Sequence, residues 1–429
     1  MKFFLYDETM MNTKAKITTE KLSAMSDIVS QKAQYITAAG AATPNQITIA
    51  AGVLIAVGSS VFKTVLTNLT TANLDTGSGF EMGTDYYIYC CDPTNGSDTV
   101  DRDEVFVISK NSTYPSGYTA DNSRKIGGFH YGKCRYVNAL GNPINSSGAE
   151  NGSGWQGNVY NGIIPNSVWT TKHRPKCDDP SGMVYLGNGL WGDIYLSSDN
   201  GSQGLQSKYN ANPITGTEGL NWYIANEKAR RVGKRLPTYA EFCQAAAGSP
   251  EGQDGNNTYA WSATGNTGRQ KTGYVANAIS ALNIRDLVGN VWKWLDEFCL
   301  DPTASAWNWY DVLGAGYGDA YIPSNTALRA LIGGGDWNDG VPGGSRAVNA
   351  DNYPWHVNGH IGVWCVCDAQ SAEGAPERAA PIFRENRTWH IKAEVKARRR
   401  GKRKPHKWTT LTPKRTKWPM IFQCTFMRK

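Results

Sequence analysis

The sequence predicts an α+β protein, β-rich in its N-terminal part, with strands and helices intermixed rather than alternating as βαβ units. Three observations carry this expectation. Short β-branched and aromatic runs, "TDYYIYCCD" (84–92) and "EVFVISK" (104–110), are separated by the turn-rich "PTNGSD". The 429 residues include 46 Gly, 15 Trp and 21 Tyr but only 19% charged residues, which fits loops held by large aromatic anchors better than a helical bundle. Helical signals concentrate in "GLNWYIANEKARRVGKRLPTYAEFCQAAAGS".

In chain order, residues 1–45 form a separate N-terminal segment, with a short helix expected over 14–35. From Gln46, "QITIAAGVLIAVGSSVFKTV" breaks β-branched runs with Gly and Ser, and "RKIGGFHYGKCRYV" (124–137) closes a sandwich-like β domain at 46–137. Residues 138–166, rich in Gly, Asn and Ser, read as a linker. A second unit spans 167–368. It opens with two strands around the turn "DDPSG" and continues with a helix at about 220–232 that stops near Gly233. Pro237 opens a second helix, with Thr238 and Glu241 at its start. The stretch 282–299 adds an apolar element, and "HIGVWCVCD" reads as a closing strand.

The net charge of +7 is unevenly placed. Residues 369–429 carry 17 Lys/Arg against 4 Asp/Glu, about +13, which leaves the body mildly acidic. The tail, with "KARRRGKRKPHK", is expected to be a solvated, disordered terminus, and nucleic acid binding is open only through it. No apolar run reaches the roughly 18 residues of a membrane span, so no membrane insertion is expected. The start "MKFFLYDETMMNTK" does not read as a secretory signal. The nine cysteines show no repeated spacing and are expected to be buried free thiols.

No nucleophile elbow, P-loop or dinucleotide fingerprint is present. In Cys365-x-Cys367 a strand would point the thiols to opposite faces. His356 and His360 are four apart, but Pro354 and Gly359 argue against the helix that would align them on a metal. No enzyme activity, metal or cofactor is therefore expected. "GGGDWNDGVPGGSRAVNADNYPWHVNGHIGVWCVCD" (333–368) instead reads as a surface of short polar side chains held by Trp337, Trp355 and Trp364.

"RLPTYAEF", "LVGNVWKW", "GGGDWN", "GGSRA" and "GVWCVCD" resemble segments of the variable proteins of diversity-generating retroelements. So, in the same order, do "GTDYYIYCCD", "YPSGYTADNSRKIGGFHY", "WTTKHRPKCDDPSGM" and "WGDIYL", over about residues 50–368. The resemblance implies that 167–368 is a C-type-lectin-fold variable domain of the formylglycine-generating-enzyme type. It further implies a hypervariable host-adhesion protein at a phage tail tip. The implied partners are a bacterial surface protein or glycan receptor and the phage tail fibre or baseplate, with a homotrimeric assembly and a place in the virion. A bacterial surface location and an enzyme of the formylglycine-generating or sulfoxide-forming branch are the alternatives.

In that family, adenine-directed mutagenesis rewrites AAY codons to NNY, which cannot encode Trp, Lys, Glu, Gln or Met. Between Asp336 and His360 only Trp337 and Trp355 fall outside the NNY set. Matching segments without gaps places the family's varied, receptor-binding positions on Asp336, Asn338, Gly340, Pro342, Asn349, Ala350, Asp351, Asn352, His356, Asn358, Gly359, His360 and Ile361. The resemblance implies that these are displayed and that the tryptophans belong to the fixed framework. Trp364 stands where the family usually shows Arg.

Overall fold

A computed structural model describes residues 33–58, 60–93, 105–149, 154–251, 256–299, 308–310, 320–322 and 328–370. Most of the helix expected at 14–35, and the basic tail from 371, lie outside the described residues. The described chain is mostly β-sheet, with two α-helices among the described residues.

The first unit is built on an antiparallel sheet of Thr84–Cys91, Val105–Ser109, Ser123–Arg135, Val159–Ile163 and Trp169–Thr170. A three-stranded sheet of Ile36–Ala38, Ile47–Ile49 and Thr67–Leu69 packs on it. Its apolar residues alternate, so Ile47 and Ile49 point inward while Thr48 faces out. The shared core joins Tyr35, Ile36 and Ile49 to Ile88, Phe129, Ile163 and Val168. Two boundaries therefore differ from the sequence reading. The β unit begins before Gln46, and part of the expected linker is a strand, because Val159–Ile163 finds a partner in Ser123–Arg135.

The second unit contains strands β1 (Met183–Gly187), β2 (Leu190–Asp193), β3 (Trp292–Cys299), β4 (Arg329–Gly333), β5 (Val348–Asn352), β6 (Ile361–Gly362) and β7 (Val366–Asp368). The hairpin turn lies at Gly187–Gly189, between β1 and β2, not at "DDPSG". Helix α1 (Trp222–Arg231) starts on Asn221, whose side chain accepts from Ile224 N–H at 3.0 Å. It ends before Gly233, which adopts φ 71°. Helix α2 (Tyr239–Ala246) starts on a capping box between Thr238 and Glu241.

The stretch "HIGVWCVCD" is divided between two sheets. β6 pairs in parallel with β3, and β7 pairs antiparallel with β2. Between them Trp364 crosses the core, fully buried, and its Nε1–H donates to Asp193 O at 2.7 Å. Gly192 leaves the space for the indole, since a Cβ there would lie 2.6 Å from it. The closing strand thus seals the unit against its first hairpin. Burying an indole of about 200 Å² at ~25 cal/mol per Å² favours the fold by roughly 5 kcal/mol.

The two units share a buried polar seam. Asp85 Oδ1 lies 2.9 Å from His130 Nδ1, and His130 Nε2 lies 3.0 Å from Tyr195 Oη. Arg135, also buried, donates to the carbonyls of Gly157, Asn277 and Ile279. Trp364→Ala should lower unfolding free energy by about 3–5 kcal/mol in a denaturant melt. A loss under about 1 kcal/mol would show that the indole does not hold the seal.

Candidate functional site

The candidate surface lies on a six-stranded sheet ordered Asn308–Tyr310, Ala320–Ile322, β5, β4, β3, β6. β5 is fixed against β4 by the pairs Gly333↔Val348, Ile332↔Asn349 and Ala330↔Asn352. Strand alternation then sorts its residues. Asn349 and Asp351 are partly exposed, whereas Ala350 and Asn352 turn inward.

After β4 the chain passes through Gly334 and Gly335 at φ 94° and 84°. A Cβ on Gly334 would meet Leu287 O at 2.1 Å, so only glycine fits this passage. The next turn is held by its own acids. Asp336 Oδ1 accepts from Asn338 N–H at 2.9 Å, and Asp339 Oδ2 accepts from Asp336 N–H at 2.6 Å. Gly340, at φ 65°, donates its N–H to Ser262 O. Asn338 and Val341 project outward, and Trp337 is buried.

Residues 353–361 form the opposite bank. Trp222 N–H at the start of α1 donates to Pro354 O, and Gly216 N–H donates to Asn358 O. The His360 ring stacks on Trp337 with centroids 4.1 Å apart, and its Nδ1 lies 2.5 Å from Asp336 Oδ2. This pair joins the two banks. Ile361 is buried under the sheet.

Trp355 corrects an expectation. It lies outside the NNY set, as Trp337 does, but its side chain is 59% exposed rather than framework core. The ring lies parallel on Tyr353, at 4.8 Å and 7°, and the Arg329 guanidinium sits 3.6 Å from the Tyr353 ring centre. The arrangement is a three-layer stack with the indole outermost. His356 meets Tyr353 edge-on, and Val357 is exposed beside it. Tyr223 is exposed one residue beyond the Trp222–Pro354 hydrogen bond.

Of the thirteen residues singled out by sequence, Asn338, Pro342, Asn349, Asp351, His356, Asn358, Gly359 and His360 are at least partly exposed. Asp336, Gly340, Ala350, Asn352 and Ile361 are buried. The buried five hold the turn, the strand and the Asp336–His360 pair. Sequence reasoning missed Trp355 and Tyr223 as exposed groups, and the buried Arg329 as the base of the stack. The one available signal was a Trp within a polar stretch, directly after Pro354.

Beneath the surface, Lys293 is fully buried and donates to Leu287 O and Gly289 O at 2.8 Å each. Burial lowers its ammonium to about 7, against the opposing pull of Asp286, Asp336 and Asp339. Burial and the Asp336 carboxylate raise Asp339 to about 6. Cys365 and Cys367 face separate cores. Cys365 contacts Ser197 Oγ, and Cys367 packs with Cys177, Met183 and Trp191. Among the described residues, no three His, Cys, Asp or Glu side chains gather as a metal site, and no helix is long and apolar enough to cross a membrane.

Residues 37–156 match the family described as the Mtd second domain, and residues 166–369 match the sulfatase-modifying factor enzyme 1-like domain. The tail fiber receptor-binding protein of Bordetella phage BPP-1 is 30% identical over 320 residues, which is 71% of this chain and 76% of that protein. Among solved structures, the Major Tropism Determinant U1 variant aligns with a TM-score of 0.57 at 26% identity, and the P3c variant with 0.58 at 25%. Each match covers 85% of this chain and 88% of the other.

The acid turn yields a pH prediction. A carboxyl raised in the folded state above its unfolded value of 3.8 keeps its proton longer when native. Its contribution is therefore most favourable below about pH 4 and is lost as pH rises through about 6. Asp339→Asn keeps an oxygen for Asp336 N–H and removes the repulsion. It should stabilise the protein at pH 7.5 by up to about 3 kcal/mol, and by only about 1 kcal/mol at pH 4.5. Equal changes in melts at both pH values would contradict this.

Proposed function

The chain belongs to the major tropism determinant family of phage tail fibre receptor-binding proteins, and from that premise we propose that the Trp355 face contacts the host receptor. The protein is a phage receptor-binding adhesin, and its second unit takes the family's C-type lectin fold. The observation that carries the site proposal is the exposed indole, stacked on Tyr353, whose ring in turn packs against the Arg329 guanidinium. An aromatic side chain already held in place loses little entropy on binding, and tryptophan is enriched among residues that dominate binding energy.

The proposal extends to diversification. Asn338, Pro342, Asn349, Asp351, His356, Asn358 and Gly359 are the positions at which substitution alters recognition at low cost to the fold, whereas His360 also joins the two banks and its replacement costs that contact. The buried members of the set, Asp336, Gly340, Ala350, Asn352 and Ile361, are positions at which most replacements carry a folding penalty. Trp355, which NNY codons cannot encode, supplies a contact shared by all variants. The receptor is a bacterial surface protein or glycan, the attachment point is the phage tail fibre or baseplate, and the protein acts in the virion as a homotrimer. Small polar sites gain from such multivalency, because linked copies rebind before they separate. The likeness of 166–369 to an enzyme family favours a second reading, catalysis on the same fold. Against it stands the placement of Cys365 and Cys367 in different cores.

Trp355→Ala in the full-length protein should weaken binding to host cells at least about tenfold, the equivalent of ~1.4 kcal/mol. Its melting free energy should stay within about 0.5 kcal/mol of the parent, as should that of Asn338→Ala and His356→Ala. Undiminished adsorption of the Trp355 variant would remove this face from the receptor contact. Light scattering should return three times the chain mass, and a monomer at micromolar concentration would exclude the avidity argument.

A further inference from the structure

Two buried cysteines face each other across the strip that closes the second unit. Residues 174–177 run antiparallel to 367–370. Pro175 bridges Ala369, Lys176 N–H donates to Asp368 O at 2.8 Å, and Gln370 N–H donates to Arg174 O at 2.8 Å. The strip ends there, because Val366 N–H and O pair with Arg235 on the same edge, and Cys177 follows Lys176 beside Cys367.

The side-chain positions agree. Cys177 N–H donates to Cys367 Sγ at 3.2 Å, so that sulfur lies against the facing strand. Both residues are almost fully buried, in a cluster with Trp169, Met183 and Trp191. Cys365, two residues away, turns to the other core and cannot compete. The contact between the two lowers the Cys367 thiol, against the opposing effect of burial, and raises that of Cys177, so Cys367 is the one of the pair that ionises first.

We propose that Cys177 and Cys367 are a cross-linking site, forming an intramolecular disulfide when the folded protein meets dioxygen. The S–S bond forms as both thiols lose their protons. Two electrons and two protons pass to dioxygen, giving hydrogen peroxide. The bond closes a loop that contains nearly the whole second unit, candidate receptor face included. It restrains the unfolded chain far more than the folded one, and so stabilises the unit while leaving that face as it stands. The inference concerns the closing strip alone and is independent of which receptor is bound.

The test uses the full-length chain, purified with reductant and then held at 37 °C in air-saturated buffer or with oxidised glutathione. Thiols are alkylated in denaturant and counted by intact mass, and the cross-linked peptides are mapped. Seven of the nine cysteines should be alkylated, with Cys177 joined to Cys367, and the oxidised protein should melt several degrees above the reduced one. Cys177→Ser should form no internal cross-link and should melt at one temperature with or without reductant. Nine alkylatable thiols after both treatments would overturn the proposal. So would a glutathione adduct that never resolves, a different cross-linked pair, or an oxidised form that melts no higher.

Discussion

Everything on the candidate face depends on the register of β5 against β4. A strand paired along both edges cannot rotate one side chain without slipping the whole ladder, and a one-residue slip would invert every position. β5 is held by β4 on one edge and by Ala320–Ile322 on the other. Asn349 and Asp351 therefore reach solvent because Ala350 and Asn352 do not. The glycine passage at 334–335 extends the same restriction. It turns the chain tightly enough to bring Asp336 back over Lys293 and toward His360, and no side chain fits there.

This arrangement separates the tasks of folding and recognition. Apolar burial is concentrated below the sheet, in Trp294, Ile332, Val363 and Trp364, so the fold does not depend on what the exposed positions carry. The two banks of the face are tied by one stacked and hydrogen-bonded contact, His360 on Trp337 and Asp336. That contact uses two positions within the varied set, which couples them energetically: a change at Asp336 leaves His360 without its carboxylate. Trp355 differs in kind. It is fixed by the stack below it rather than by burial, and it offers one large apolar face to solvent.

Local chemistry made much of the fold legible. Gly233 marked the end of α1, Thr238 and Glu241 marked the start of α2, and β-branched and aromatic runs marked Thr84–Cys91 and Val105–Ser109. Pairing partners distant in sequence were not legible. Val159–Ile163 lies in a Gly- and Asn-rich stretch, and it is a strand only because Ser123–Arg135 has a free edge there. "HIGVWCVCD" alternates like one strand, yet it serves two sheets, since Trp364 must cross the core between them. In the candidate site, the resemblance located the segment but not its inward and outward faces. Those follow from register with β4, which is set by residues outside the segment.

The central claim is that recognition centres on the Trp355 stack while the tryptophans beneath stay shielded. Oxidative footprinting of the full-length protein, free and bound to host cells, reads this directly through side-chain reactivity. The expected result is strong oxidation of Trp355 and His356 in the free protein, clear protection of both on binding, and little oxidation of Trp337 or Trp364 in either state. Protection confined to other surfaces, with Trp355 and His356 as reactive on cells as in solution, would contradict the account.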